Sequence, residues 1–156
     1  MKIILGLFFS LCFIIPTQVI SLEKGIWTFV KTDEYCYVGS LATDSDLSPE
    51  KNRDEYYIVV YKNIGSSETI VQIEAGYNYK LNSEIIVTID KGIYKFYTTE
   101  DLPSASWTDE DNKVIFAMKK GLELFVKGES SRGTITNDTY TLKGFTVAYN
   151  KLTSDC

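Results

Sequence analysis

Apolar and polar side chains alternate with a period of two in run after run of this chain. Tyr35 to Leu41 and Tyr56 to Tyr61 are rich in aromatic and β-branched residues, and in Ile70 to Ala75 the positions Val71, Ile73 and Ala75 alternate with Gln72 and Glu74. Alternation of this kind puts successive side chains on opposite faces of an extended strand. Ile85, Val87 and Ile89 repeat it, and Asp90-Lys91-Gly92 then offers a tight turn into Ile93 to Tyr97, which predicts a hairpin. Farther on, Leu122, Leu124 and Val126 alternate with Glu123 and Lys127, and Tyr140 with Leu142 ends another run.

Two segments break the period. Thr108 followed by Asp109, Glu110 and Asp111 reads as a helix start, with a hydroxyl cap and acids in the first turn. Val114, Ile115 and Met118 would share its buried face, and Lys119-Lys120-Gly121 supplies a basic last turn and a glycine stop. Near the C-terminus Phe145, Ala148, Tyr149 and Leu152 fall at i, i+3, i+4 and i+7, the spacing of an amphipathic helix. Phe145, Val147 and Tyr149 also permit a strand, but the helix fits the wider spacing.

Short strands at regular intervals with turn signals between them predict an antiparallel two-sheet β-sandwich, mainly β, with one short internal helix and one C-terminal helix. No internal repeat or low-complexity tract interrupts the chain. Its most loop-like stretch is Ala42 to Asp54, polar and charged with a single Pro49.

The N-terminus differs in composition. After Lys2, Ile3 to Ile15 form a thirteen-residue run of mostly Ile, Leu and Phe, closed by Pro16. Val19 and Ser21 then fit the −3 and −1 positions of a cleavage site, so residues 1–21 read as a secretory signal. A membrane anchor would need roughly 20 apolar residues in a helix. Cys12 lies inside the apolar run rather than after it, which argues against lipid attachment. Cleavage after Ser21 leaves residues 22–156, a length suited to a single domain. The mature chain is expected to be exported and soluble or loosely surface-associated, with no stable transmembrane anchor after cleavage.

Charge and composition then exclude several kinds of function. Without Lys2 the mature chain carries fifteen basic against twenty-one acidic residues, a net charge of −6 with no basic cluster. Such a surface repels phosphate backbones, so no nucleic-acid partner is expected. Histidine is absent, which removes the usual imidazole-dependent hydrolases. Asp44 with Asp46, and Asp109-Glu110-Asp111, sit where a solvated loop and a helix start are predicted, so neither suggests a carboxylate pair for catalysis. Asp44-Ser45-Asp46-Leu47-Ser48 lacks the glycine and distal glutamate of a calcium loop. Gly65-Ser66-Ser67 and Gly128 to Gly133 lack the lysine of a phosphate loop. Asn137-Asp138-Thr139 matches a glycosylation acceptor, relevant only in a eukaryotic secretory pathway. No enzyme, cofactor or metal is expected.

Removing the signal leaves Cys36 and Cys156. Export would put both in an oxidising space, where an intramolecular disulfide is the preferred reading; free thiols or a bridge to another chain are the alternatives. The eleven tyrosines are read first as filling a β-sandwich core and its rims; the alternative is that exposed ones stack on sugars or anchor partners. Tyr77 and Tyr79 flank a predicted turn around Asn78 to Ser83.

One family resemblance covers essentially the whole mature chain. Trp27 ahead of a strand, Cys36-Tyr37-Val38, Gly76-Tyr77, the Ile115 to Gly121 stretch running into Leu122 to Val126, Ser131-Arg132-Gly133-Thr134 and Thr141 to Tyr149 together resemble the invasion-associated locus B proteins. The signature is densest at Asp138-Thr139-Tyr140-Thr141-Leu142-Lys143-Gly144-Phe145, which carries one extra residue after the aspartate. The resemblance implies an exported alphaproteobacterial envelope protein with an immunoglobulin-like sandwich and no established catalytic residues. It implies action through contacts with an unknown envelope or host protein, as in host-cell invasion by pathogens; a small ligand- or glycan-binding module using exposed tyrosines is the alternative. Relatives with more cysteines often carry one near the position of Lys31, and its absence here favours the long Cys36–Cys156 closure. The glycine–phenylalanine pair has a structural reading: Gly144 takes the turn into the last helix and Phe145 plugs the end of the sandwich.

Overall fold

The computed structural model describes residues 21–48 and 50–156, so residues 1–20 of the signal reading, and Pro49, lie outside the described residues. Ten strands and two helices follow in chain order: β1 (Thr28–Lys31), β2 (Tyr35–Leu41), β3 (Asp44–Ser45), β4 (Tyr57–Asn63), β5 (Ile70–Glu74), β6 (Ile85–Ile89), β7 (Gly92–Phe96), β8 (Ala105–Ser106), α1 (Asp111–Lys120), β9 (Glu123–Glu129), β10 (Ile135–Thr141) and α2 (Phe145–Asp155). The strands form two five-stranded sheets, ordered β1-β2-β4-β5-β8 and β3-β10-β9-β6-β7, and every pairing between named strands is antiparallel. This is the mainly β, two-sheet architecture with one internal and one C-terminal helix that the alternation predicts.

The apolar members of each alternating run meet between the sheets. Cys36 and Val38 of β2, Ile58 and Val60 of β4, and Val71 and Ile73 of β5 face Ile85, Val87 and Ile89 of β6 and Leu124 and Val126 of β9 in one buried cluster. Each such side chain contributes about 1.5–3 kcal/mol by leaving water. The β6–β7 hairpin closes as its sequence predicts: Ile89 pairs with Gly92 across Asp90-Lys91, and Asp90 takes φ 50°. At the other end of β7, Tyr97 and Trp107 exchange backbone hydrogen bonds of 2.9 Å and tie the two sheets together at a corner.

Three local expectations need correction. Helix α1 begins at Asp111 rather than after Thr108, and no side chain caps its N-terminus. Thr108 Oγ1 instead accepts from the Glu110 amide (3.2 Å), while the Asp111 carboxylate accepts from the Val71 amide on β5 (2.7 Å). The side chain that could have served the helix start docks it onto the sheet. Leu122 does not share the inward face of Leu124 and Val126: β9 starts one residue later and Leu122 is 80% exposed. Finally, the segment Ala42 to Asp54 is not all loop, because Asp44–Ser45 adds a short strand opposite Thr139 and Asp138 of β10.

The C-terminal helix fits its prediction closely. Phe145, Ala148, Tyr149 and Leu152 are all buried. Gly144 precedes them at φ 89°, a left-handed conformation that a side chain would strain. Helix α2 lies lengthwise under β1 and β2. Its start is held by an edge-to-face contact of Trp27 on Phe145, with ring centroids 4.8 Å apart. Its far end is held by a disulfide joining Cys36 of β2 to Cys156, with Cα atoms 6.0 Å apart.

Candidate functional site

Asp138 sits at an inward position of β10, where an isolated carboxylate would be costly to bury. Arg53 answers it. Its guanidinium reaches both carboxylate oxygens, donating Nη1 to Oδ2 at 3.0 Å, and the two side chains are each 5% exposed. Ser45, directly across the ladder, donates its hydroxyl to Asp138 Oδ1 (2.6 Å) and accepts from Arg53 Nη2 (2.8 Å). Arg53 also donates to the Ala75 carbonyl (3.2 Å) and stacks over the Tyr56 ring, 3.4 Å from its centroid. The node joins β3, β10, the end of β5 and the chain entering β4. Arg53 is the residue that sequence reasoning missed, since it stands among polar neighbours in a presumed loop. The usable signal was Asp138 itself: a carboxylate on the inward parity of a strand demands a cation within reach.

Beside this node an open groove of about 870 Å³ runs between Leu47, Lys51, Gly76, Tyr77, Arg132 and Thr136. Four motif residues therefore converge around one feature: Gly76 and Tyr77 in its wall, Arg132 at its mouth, and Asp138 in the node beneath. Gly76 is dictated by space as well as by its φ of 70°, because a Cβ would lie 2.2 Å from the Asp54 carbonyl oxygen. Tyr77 is half-buried and its hydroxyl shares a 2.8 Å hydrogen bond with Thr136 Oγ1; burial pushes its phenol up from the usual value. Gly133 closes the adjacent turn by donating its amide to the Ser130 carbonyl (2.8 Å).

The remaining motif residues lie elsewhere. Tyr140 and Leu142 are buried in the core, and Trp27, Gly144 and Phe145 build the α2 end, where Trp27 Nε1 donates to the Thr141 carbonyl at 2.8 Å. The motif thus marks two structural foci rather than one reactive constellation.

The carboxylates singled out in the sequence are mostly engaged in holding elements together. Asp46 accepts from the amide and side chain of Asn137 (2.7 and 2.6 Å), which lowers its pKa through the side-chain hydrogen bond foremost. Asp111 binds the Val71 amide, as described. Among the described residues no group of three His, Cys, Asp or Glu could hold a metal ion.

The tyrosines need the same sorting. Tyr79 fills the core: it is 2% exposed, wedged beside Tyr77, and burial pushes its phenol far up. The exposed aromatic strip lies on the outer face of the first sheet instead. There Tyr35 is open to solvent and stacks on half-buried Tyr37 (centroids 6.2 Å apart), and Tyr37 pairs across the ladder with Tyr61. Large apolar side chains also stand out from rigid elements: Phe116 of α1, Val147 of α2, Ile93 of β7 and, just before β9, Leu122. No helix among the described residues is long and apolar enough to cross a membrane.

Comparison with known proteins bears on this arrangement. No curated protein matches the chain. The crystal structure of invasion associated protein B from Bartonella henselae is similar in fold, with a TM-score of 0.61 at 14% identity, covering 84% of this chain and 94% of that one. The family model described as Invasion associated locus B (IalB) protein matches residues 29–153, from β1 to near the end of α2. That span takes in both sheets, the Arg53–Asp138 node and every motif residue except Trp27, and on this ground the chain belongs to the invasion associated locus B family.

Proposed function

We propose that the protein is exported and acts in the bacterial envelope, at the periplasm or cell surface, by binding another protein rather than by catalysis. The observation that carries this reading is the exposure of large apolar side chains: Ile93, Val147 and Phe116, on β7, α2 and α1, are 69%, 68% and 60% exposed, and Leu122, between α1 and β9, is 80% exposed. Exposed apolar side chains held on regular elements are what a partner buries at little conformational cost. Family membership supports the setting, and the name of the Bartonella protein supports host-cell invasion as the process in a pathogen. Arg53, Asp46 and Asp111 are engaged in contacts that hold elements together.

In-cell cross-linking, followed by separation of periplasmic and outer-membrane fractions and mass spectrometry, tests the reading. One reproducible protein partner is the expected result. A protein recovered alone from every fraction refutes it.

The Tyr35–Tyr37 stack, with Tyr61 beside it on the ladder, favours one second reading, a glycan- or small-ligand-binding module, because exposed aromatic faces stack on sugar rings. A glycan array read against Tyr35→Ala decides it: sugar binding lost in the variant supports the module, and no sugar binding at all removes it.

A further inference from the structure

The edge of the first sheet at β1 carries a more specific assignment, which deepens the interaction reading above and rests on it. In the β1–β2 hairpin the Thr32 amide donates to the Tyr35 carbonyl at 2.9 Å, which makes Thr32–Tyr35 a hydrogen-bonded pair. Pairs alternate along an antiparallel ladder, so Val30–Tyr37 and Thr28–Gly39 are bonded in turn. The peptide groups of Phe29 and Lys31 then point away from β2, and among the described residues no backbone group meets them. This is an open edge.

What distinguishes it from the other sheet edges is a floor. Edge strands β3 and β8 are two residues long, and β7 packs on neither helix as closely as β1 packs on α2. Under β1, by contrast, α2 runs from the Trp27–Phe145 contact to its last turn, where Lys31 Nζ donates to the Asp155 carbonyl at 2.6 Å. The helix extends sideways beyond β1, leaving a groove of about 540 Å³ lined by Ile26, Phe29, Val147, Ala148, Lys143 and Lys151. A sixth strand hydrogen-bonded to β1 would lie over this groove with every second side chain directed onto it.

We propose that this groove receives an extended segment of a partner protein, added as a strand to β1. The segment carries alternate apolar side chains that cover Ile26, Phe29 and Val147, with acidic residues toward Lys143 and Lys151. The charge argument is specific: the chain is acidic overall, yet the groove presents two exposed lysines, neither of which forms an ion pair among the described residues. A second copy of this chain fits poorly, because twofold pairing of β1 would bring four of these lysines together.

A photo-cross-linking residue in place of Val147, with Tyr35 as the control position, tests the assignment in intact cells. The cross-linked segment is sequenced and made as a synthetic peptide, and hydrogen exchange of the protein is followed with and without it. The expected result is an acidic, alternating segment that protects the Phe29 and Lys31 amides. Binding should weaken roughly tenfold or more in a Val147→Asp, Lys151→Glu variant whose thermal melt is unchanged. A cross-link to a second copy or to lipid overturns the proposal, as does a peptide that leaves those amides unprotected. Cross-linking at Tyr35 alone overturns it while sparing the interaction reading; no cross-link at either position counts against both.

Discussion

Asp138 receives both terminal nitrogens of the Arg53 guanidinium across 85 positions of sequence. The pair is one unit, since neither charge has water to fall back on. Replacing Asp138 by Ala strands a buried cation and should cost about 3–5 kcal/mol in denaturant unfolding. The Arg53→Met, Asp138→Leu double variant should lose far less than the sum of the single changes. Additive losses in that cycle would show that the two side chains do not act together.

The Cys36–Cys156 bridge closes a loop spanning 120 positions. In the chain-entropy treatment a loop of that size stabilises the fold by about 5 kcal/mol. Cys36→Ser should therefore lower the denaturant midpoint substantially without changing the sheet signal of the folded protein. The native protein, unfolded without reductant, should label at no mature cysteine. Two labelled thiols would refute the bridge.

Two motif glycines should respond differently to a single methyl group. Gly76→Ala combines a left-handed backbone with a Cβ 2.2 Å from the Asp54 carbonyl oxygen, and should cost about 3 kcal/mol or more. Gly133 has φ 81° but open space around it, so Gly133→Ala should cost only about 1 kcal/mol. Equal losses by thermal melting would mean that the Asp54 contact does not constrain the loop.

Alkali should reveal the buried phenols. Burial raises the pKa of Tyr77, Tyr79 and Tyr140 in the folded chain above the value of about 10 that they regain on unfolding. The folded state then holds more protons than the unfolded one once pH passes about 10, so stability present below that pH is lost as pH rises. Tyrosinate absorbance should appear in two stages, exposed residues first and the buried set only with unfolding. A single titration of all eleven tyrosines before any unfolding would contradict the burial.

The strands were readable because period-two alternation is a local property: Val71, Ile73, Val87 and Ile89 face inward for the same reason that they alternate with polar neighbours. The 3.6-residue spacing of Phe145, Ala148, Tyr149 and Leu152 was local too. What escaped was set by partners distant in sequence. Arg53 stands in a loop-like stretch because its acceptor lies on β10, and Asp111, which does open α1, gives no local sign of the Val71 amide that it also binds on another element. That Tyr79 is the more deeply buried of the pair flanking the turn also depends on a distant partner, since its amide donates to the Pro103 carbonyl at 2.8 Å. The β1 groove was invisible for a related reason: Val147 is the outward residue of a helix, and only the sheet edge beside it gives that exposure a use.

The covalent link between β2 and the end of α2 also decides how the molecule carries tension. A pull entering through the residues before Cys36 and leaving at Cys156 crosses the bridge directly once β1 is released, and the rest of the 120-position loop is then spared. Under such a load β1 peels from β2 while the sandwich behind the bridge stays intact. The chain would yield its short leading segment instead of the roughly 400 Å of contour stored in the loop. A domain wired in this way yields its leading segment under load without being unravelled.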